Sequence, residues 1–431
     1  MRQTSAKFGI QKAFREGSLA RAQAPIRRAF AGGLTGLALT FATLPALSGP
    51  LQLTQQSPPV MRLAQPVAVF GPDDRVLLPA DRSALSASIG LLYESRSHSV
   101  CTAFCIGDDV IATAGHCLFR TAGESAPRLQ GFQFRLQPKS GRSANSRIAG
   151  AEQNAEAQHI ASGSQKLRVN PPIDAAHDWA LVRLRTPICK GRALPLSRQP
   201  ESELIKLSAA QRVYQVAYHR DFGNWELALG APCAIRRSFN GADWKAISKD
   251  FVEASHVILH TCDTGGASSG SPMLIDGPGG PEVIGINVGT YLQAKVLTQG
   301  GEVLHRYKSE TVANTAVATS AFRPAFDALL RAEVLADRRD LKELQRLLAT
   351  EGYYSGSRDG IYGAKLNEAI RAFERTEGRS ETGLATTALL KRLGALDAER
   401  RGKKPNLNRP PSIETGSVGS HKLSRDKAWL P

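Results

Sequence analysis

Cys262-Asp263-Thr264-Gly265-Gly266-Ala267-Ser268-Ser269-Gly270-Ser271-Pro272 is a run of small and polar residues between two apolar stretches, Val257-Ile258-Leu259 and Val283-Ile284-Gly285-Ile286. Apolar stretches this short, bounded by Gly, Ser and Pro, read as buried β-strands rather than helices. The pattern recurs upstream in Ile89-Gly90-Leu91-Leu92, Asp109-Val110-Ile111-Ala112, Trp179-Ala180-Leu181-Val182 and Arg212-Val213-Tyr214-Gln215-Val216. Many short strands with Gly/Pro turns, from about 67 to about 319, predict an all-β sandwich or barrel. Helical periodicity starts only at 321–337, where Phe322, Phe326, Leu329, Leu330 and Val334 recur at steps of three and four. Further on, Leu341-Leu344-Leu347-Leu348, Leu366-Ala369-Ile370-Phe373 and the stretch 386–393 predict three helices, a small all-α domain expected over 337–396.

The chain has 431 residues and a formal charge of +16, unevenly spread. Residues 1–28 carry +6 and residues 397–431 carry +4, leaving only +6 for the body between them. A weakly basic body argues against a nucleic-acid partner. The basic stretch ending Pro25-Ile26-Arg27-Arg28 is followed by an apolar run from Ala29 to Leu47 with small residues at Ala46 and Ser48, the pattern of a targeting segment over 1–48. A membrane partner is expected only if that segment stays uncleaved. Residues 49–66 read as a linker, and 397–431, with Pro405, Pro410 and Pro411 and no apolar period, as a disordered basic tail. Six cysteines in a chain that leaves the cytoplasm predict up to three disulfides. Cys101 and Cys105 have no second close Cys or His pair to complete a tetrahedral site, so neither a metal nor another cofactor is expected.

Three segments of the β-rich region each hold one part of an acyl-transfer triad: His116 in Ala112-Thr113-Ala114-Gly115-His116-Cys117, Asp178 in His177-Asp178-Trp179-Ala180-Leu181-Val182, and Ser269 in the stretch quoted first. A serine hydroxyl is a poor nucleophile at neutral pH. An imidazole must take its proton, and a buried carboxylate must hold that imidazole in one tautomer and stabilise its cation. A turn of small residues such as 265–271 can also offer backbone N–H groups to the oxyanion. Singly, each residue has a bland reading as a structural His, a turn Asp or a Gly/Ser loop. Together, in one order, they point to hydrolysis of an acyl bond.

The segments around His116, Asp178 and Ser268–Pro272 resemble the chymotrypsin-like serine proteases, and more closely their bacterial secreted branch that includes the glutamyl endopeptidases. The resemblance implies a double β-barrel over 67–336, with His116 as general base, Asp178 as its orienting carboxylate, Ser269 as nucleophile and the N–H groups of Ala267 and Ser269 as the oxyanion hole. It implies a Cys101–Cys117 disulfide beside the histidine. Of the three pairings open to the other four cysteines, Cys233–Cys262 with Cys105–Cys189 is preferred. Asp263 stands where trypsins carry the S1-pocket aspartate, although some glutamyl endopeptidases keep an Asp-Thr pair there for structure. Asn287 takes the place of a His found in glutamate-specific relatives. Ala267 replaces a usual Gly, and Ser268 replaces the Asp that serves zymogen activation.

The segment Leu341–Leu393 is similar to the three-helix peptidoglycan-binding domains of cell-wall hydrolases, through Gly352-Tyr353-Tyr354-Ser355-Gly356, Asp359-Gly360-Ile361-Tyr362-Gly363 and Ala369-Ile370-Arg371-Ala372-Phe373. Leu344, Leu348, Ile361, Ile370 and Phe373 are expected in its core, and Tyr353, Asp359 and Tyr362 as candidate ligand contacts. The whole then reads as an exported serine endopeptidase in the periplasm, in the cell wall or secreted, acting on protein or peptide and held to peptidoglycan by its C-terminal domain. The alternatives are an inactive protease fold that binds the wall, favoured by Ala267, and a hydrolase of peptidoglycan peptides.

Overall fold

The computed structural model describes residues 52–54, 60–62, 68–119, 129–137, 143–151, 155–239, 242–293, 296–299, 302–306 and 310–403. The targeting segment expected over 1–48 lies outside the described residues, as does the tail after 403. Among the described residues no helix is long and apolar enough to cross a membrane.

Two antiparallel sheets build the body. The first has seven strands in the spatial order Ala144–Arg147, Phe132–Leu136, Ile89–Glu94, Val100–Cys105, Val110–Thr113, Ala180–Arg183 and Ile160–Ser162. The second runs Val257–His260, Glu310–Ala318, Gly280–Gln293, Pro272–Gly277, Val213–Tyr218, Leu227–Gly230 and Val76–Leu77, with Val60–Arg62 also paired to Gly280–Gln293. Two pieces of the expected linker therefore pair with strands, since Gln52–Thr54 lies along Val296–Gln299. A three-residue strand is set by the unpaired N–H and C=O groups of its neighbour, which leaves no periodicity of its own to read.

One apolar core joins the two sheets, running from Phe104, Ile111 and Leu181 to Val216, Leu274 and Val317. The helix Thr319–Arg331 packs Phe322 and Leu329 into the same core, so the periodicity of 321–337 belongs to the β-rich body. All three expected disulfides are formed: Cys101–Cys117, Cys105–Cys189 and Cys233–Cys262.

The helices Arg338–Thr350, Ala364–Thr376 and Thr387–Lys403 enclose a second core of Leu341, Leu344, Leu348, Leu366, Ile370, Phe373, Leu389 and Leu393. The last helix continues beyond the boundary expected at 396, because Asp397 pairs with Arg346 and Arg401. Ile361 and Tyr362 exchange their expected places. Ile361 is 58% exposed, whereas Tyr362 is buried and donates its hydroxyl to the Gly383 carbonyl. The cause is the turn before them: Gly360 has φ +72°, and a Cβ there would stand 2.4 Å from the Arg338 carbonyl, so the chain passes close to the first helix and turns the next ring inward.

The helical domain docks on the β-rich body. Arg371 donates to the Ser162 carbonyl, Ala157 packs on the helical core, and Leu335 N–H donates to Ala385 O at 2.8 Å.

Tyr362→Phe should therefore cost about 1 kcal/mol of helical-domain stability, the value of one buried hydrogen bond. Ile361→Ser should stay within about 0.5 kcal/mol, as exposed substitutions do. Urea unfolding of the two variants followed by circular dichroism checks the order.

Candidate active site

Val110–Thr113 pairs with Ala180–Arg183 so that Thr113 faces Ala180. The chain entering the second strand and the turn leaving the first are therefore neighbours, which brings Asp178 beneath His116. His116 sits in the turn Gly115–Cys117, fixed by its disulfide to Cys101. Asp178 is fully buried and accepts from the His116 backbone N–H on Oδ1 and lies against Nδ1 on Oδ2, each at 2.8 Å. The other ring nitrogen, Nε2, is buried with no hydrogen-bond partner among the described residues.

Ser269 lies at the tip of the turn that precedes Pro272–Gly277. The turn is held on every side. Ser268 N–H donates to Gly265 O at 3.1 Å, Ser271 N–H to Ser268 O at 3.0 Å and Gly270 N–H to Asn287 O at 2.7 Å. From the other sheet Thr102 donates its N–H to Ser269 O at 2.9 Å and its hydroxyl to Ala267 O at 2.8 Å. Gly270 has φ +83°, and a Cβ on it would meet the Thr102 carbonyl and the Thr113 hydroxyl at 2.2 Å, so only glycine fits this crossing.

Ala267 has φ +79°, the left-handed backbone at which a Cβ costs about 1–2 kcal/mol. The Gly266 carbonyl accepts from Arg220 N–H at 2.6 Å, so the Ala267 N–H across the same trans peptide points the opposite way. Among the described residues neither the Ala267 nor the Ser269 N–H has an acceptor. His116, Ser269, Ala267 and Asn287 line one cavity of about 510 Å³, together with Val100, Arg220, Asp221, Gly289 and Thr290.

The remaining candidates do other work. Asp263 is buried away from the cavity lining: Oδ1 accepts from Phe70 N–H at 2.8 Å and Oδ2 from Asp74 N–H at 3.1 Å. It clamps the segment leading into the fold, the structural role left open in the sequence, and this placement does not suit the floor of an S1 pocket. Asn287 lines the cavity but spends its Nδ2 on the carbonyl and hydroxyl of Ser268, at 3.1 and 3.3 Å. Behind it, burial pushes His260 down to about 3, so that ring is neutral. Cys101 and Cys117 offer no thiolate to a metal beside His116, because they are bonded to each other. In the helical domain none of the three ligand candidates is free. Tyr353 packs edge-on against Phe373, Asp359 accepts from Gln345, Ser357 and Ile361, and Tyr362 is buried.

Residues 101–286 match the trypsin-like peptidase domain family, and residues 337–393 match a peptidoglycan-binding domain family. The chain carries a trypsin-like peptidase domain and a C-terminal peptidoglycan-binding domain. No curated protein sequence matches it. Among solved structures it is similar to a thermostable serine protease, AL20, from an extremophilic microorganism, at 18% identity and TM-score 0.35, over 56% of this chain and 95% of that one. It is also similar to a Glu endopeptidase solved with MPD, at 17% identity and TM-score 0.37, over 61% of this chain and 98% of that one.

Thr102 is a residue of the candidate site that sequence reading missed. It carries no catalytic group, and its position directly after Cys101 was the one available signal.

Two stability measurements follow from the peptidase domain. Ala267→Gly should raise its stability by about 1 kcal/mol by relieving the left-handed strain, while Gly270→Ala should unfold it or come close. Burial and the neighbouring Asp263 charge push Asp74 up to about 6. The folded protein thus holds that proton more tightly than the unfolded chain, and this contribution, complete below about pH 4, is lost as pH rises through 6. Asp74→Asn should flatten the fall between those values, read as urea midpoints across a pH series.

Proposed function

We propose that this protein is an exported serine endopeptidase that cleaves peptide bonds through His116, Asp178 and Ser269 and is held to peptidoglycan by its C-terminal domain. The observation that carries the reading is the 2.8 Å contact of His116 Nδ1 with a fully buried Asp178, while His116 lines one cavity with Ser269 and its Nε2 has no hydrogen-bond partner among the described residues.

In this mechanism Ser269 Oγ attacks the scissile carbonyl as its proton passes to His116 Nε2. Asp178 fixes the tautomer that leaves Nε2 free to accept and stabilises the imidazolium that forms. The N–H groups of Ala267 and Ser269 receive the oxyanion, an interaction worth about 3–4 kcal/mol per donor in such sites. His116 Nε2 returns the proton to the leaving amine, and water then hydrolyses the acyl-enzyme by the same steps. The left-handed backbone at Ala267 supports an intact hole, since it is the conformation for which the position otherwise takes Gly. That weakens the inactive alternative. With Asp263 committed to Phe70 and Asp74, a preference for Arg or Lys at the cleavage site is not part of the proposal.

Three disulfides support a site of action outside the cytoplasm. Ligand contacts in the helical domain are left unassigned, because Tyr353, Asp359 and Tyr362 are spent on packing and turn capping.

Ser269→Ala and His116→Ala should each abolish proteolysis and fluorophosphonate labelling with the fold retained, since a triad acts as a unit. Activity above a tenth of wild type in either variant would sink the assignment. Asp178→Asn should lose about four orders of magnitude in kcat.

The tether is tested separately. Ser269→Ala protein should sediment with purified sacculi, and the same chain ended after Ala332 should stay in the supernatant. Equal sedimentation of the two would remove the anchoring role, and release of muropeptides by wild type would favour the wall-hydrolase alternative.

A further inference from the structure

Next to the active-site cavity lies a second groove of about 440 Å³ that the triad does not use. Its floor is the outer face of one strand ladder. Leu91 pairs with Arg135 and Tyr93 with Gln133, and the two-residue period of the strands places all four on the side away from the buried Leu92 and Phe134. Its wall comes from the other sheet, where the loop after Val213–Tyr218 supplies Arg220 and Trp225. Val100 and Arg220 line both spaces, so the groove continues the cavity that holds Ser269 and His116.

Its chemistry is an aromatic slot with a cationic rim. Tyr93 and Trp225 supply two rings, and Arg135 and Arg220 two guanidinium groups that have no carboxylate partner among the described residues. Among the described residues no acidic side chain lines it. The fold bears strain to present these groups: Gly223, Asn224 and Trp225 have φ of +70°, +45° and +64°, and His98, bonded to the Tyr93 hydroxyl, has +53°. A Trp held there costs about 1–2 kcal/mol, a cost that placement of its ring against the groove accounts for.

Val100, shared by groove and cavity, precedes Cys101, whose disulfide to Cys117 stands next to His116, the group that hands its proton to the leaving amine. The cavity is lined elsewhere by Thr264 and Thr290, tied together through the Asn314 side chain, beside Gly265 and Gly289. We propose that the groove binds the leaving-group half, taking an aromatic side chain between Tyr93 and Trp225 and a carboxylate on Arg220 and Arg135. This rests on the serine-endopeptidase reading. The carboxylate is either an acidic side chain or the free end of the substrate.

The test uses peptide pools with a degenerate acyl side, cleaved by the full chain and quantified by mass spectrometry. One pool carries Phe at either of the first two leaving-side positions followed by Glu amide. Others replace Glu by Gln, end in a free acid after Phe, or carry Ala throughout. Peptide methyl esters, whose methanol cannot reach the groove, report the Ser269 chemistry alone.

Phe-Glu pools should exceed Ala pools about tenfold in kcat/KM, as burial of one large apolar side chain allows. Trp225→Gly removes the ring and relaxes φ, and should erase that preference with ester hydrolysis unchanged. Arg220→Gln should erase the preference for Glu over Gln, which in wild type shrinks with added salt. A free acid equal to Glu assigns the carboxylate to the substrate terminus, and a free acid equal to Gln assigns it to a side chain. Equal rates on Phe-Glu and Ala pools by a protein that hydrolyses esters, or a preference that survives Trp225→Gly, overturns the groove alone. Absence of both ester hydrolysis and fluorophosphonate labelling overturns the peptidase reading and the groove's role with it.

Discussion

A carboxylate with no exposed surface persists in a protein only where donors replace the water it has lost, and Asp178 has two, the backbone N–H and the ring Nδ1 of His116. Much of the first sheet follows from that requirement. The pairing of Val110–Thr113 with Ala180–Arg183 must hold its register, because a one-residue slip would move Asp178 to the other face. Gly115 must stay small, since a Cβ there would stand 3.2 Å from Asp178 Oδ1. Trp179 then seals the far side against Phe322 of the helix Thr319–Arg331, with ring centroids 6.2 Å apart. That helix is therefore part of the dry environment of the carboxylate as well as of the core.

The turn that carries Ser269 is made across the boundary between the sheets. Its own sequence supplies the small residues, but Thr102 on the first sheet supplies the donors that hold Ser269 O and Ala267 O, and Thr113 in turn donates to Thr102 O at 2.9 Å. A strained Ala267 persists because the surrounding bonds over-determine its conformation. Strain of the same kind at Trp225 and His98 lies beside the cavity too, so three of the seven non-glycine residues with positive φ among the described residues border the candidate site or its groove.

The residues legible in the sequence were those whose chemistry and local pattern agree. His116 follows one apolar run and Asp178 precedes another, and the pairing of those two strands brings them together, while Ser269 lines the same cavity as His116 from the turn before Pro272–Gly277. The cysteines were legible for the same reason. Asp263 was ambiguous because it lies between strands, where no period fixes the direction of its side chain, and only the path of 68–75 decides that it meets Phe70 and Asp74. Tyr362 and Ile361 were exchanged because an irregular turn has no period, so one left-handed glycine reverses which neighbour is buried. Thr102 and the groove were invisible, since both arise from contacts between distant segments.

The strand Ile160–Ser162, paired with the strand that follows Asp178, also receives the second domain. Ser162 pairs with Ala180, and the Ser162 carbonyl accepts from Arg371, whose side chain is only 15% exposed. Between the helix ending at Arg331 and the one starting at Arg338, Val334 bridges to Thr386 and Leu335 donates to Ala385, so the connection is itself hydrogen-bonded into the helical domain. A flexible linker spreads its cargo over many orientations and sets an effective concentration by its length alone. A docked connection presents the active site to an attached polymer at one angle. On the proposed reading, the wall domain thus restricts which proteins beside the wall can reach Ser269, and selects substrates by position before the cavity selects them by side chain.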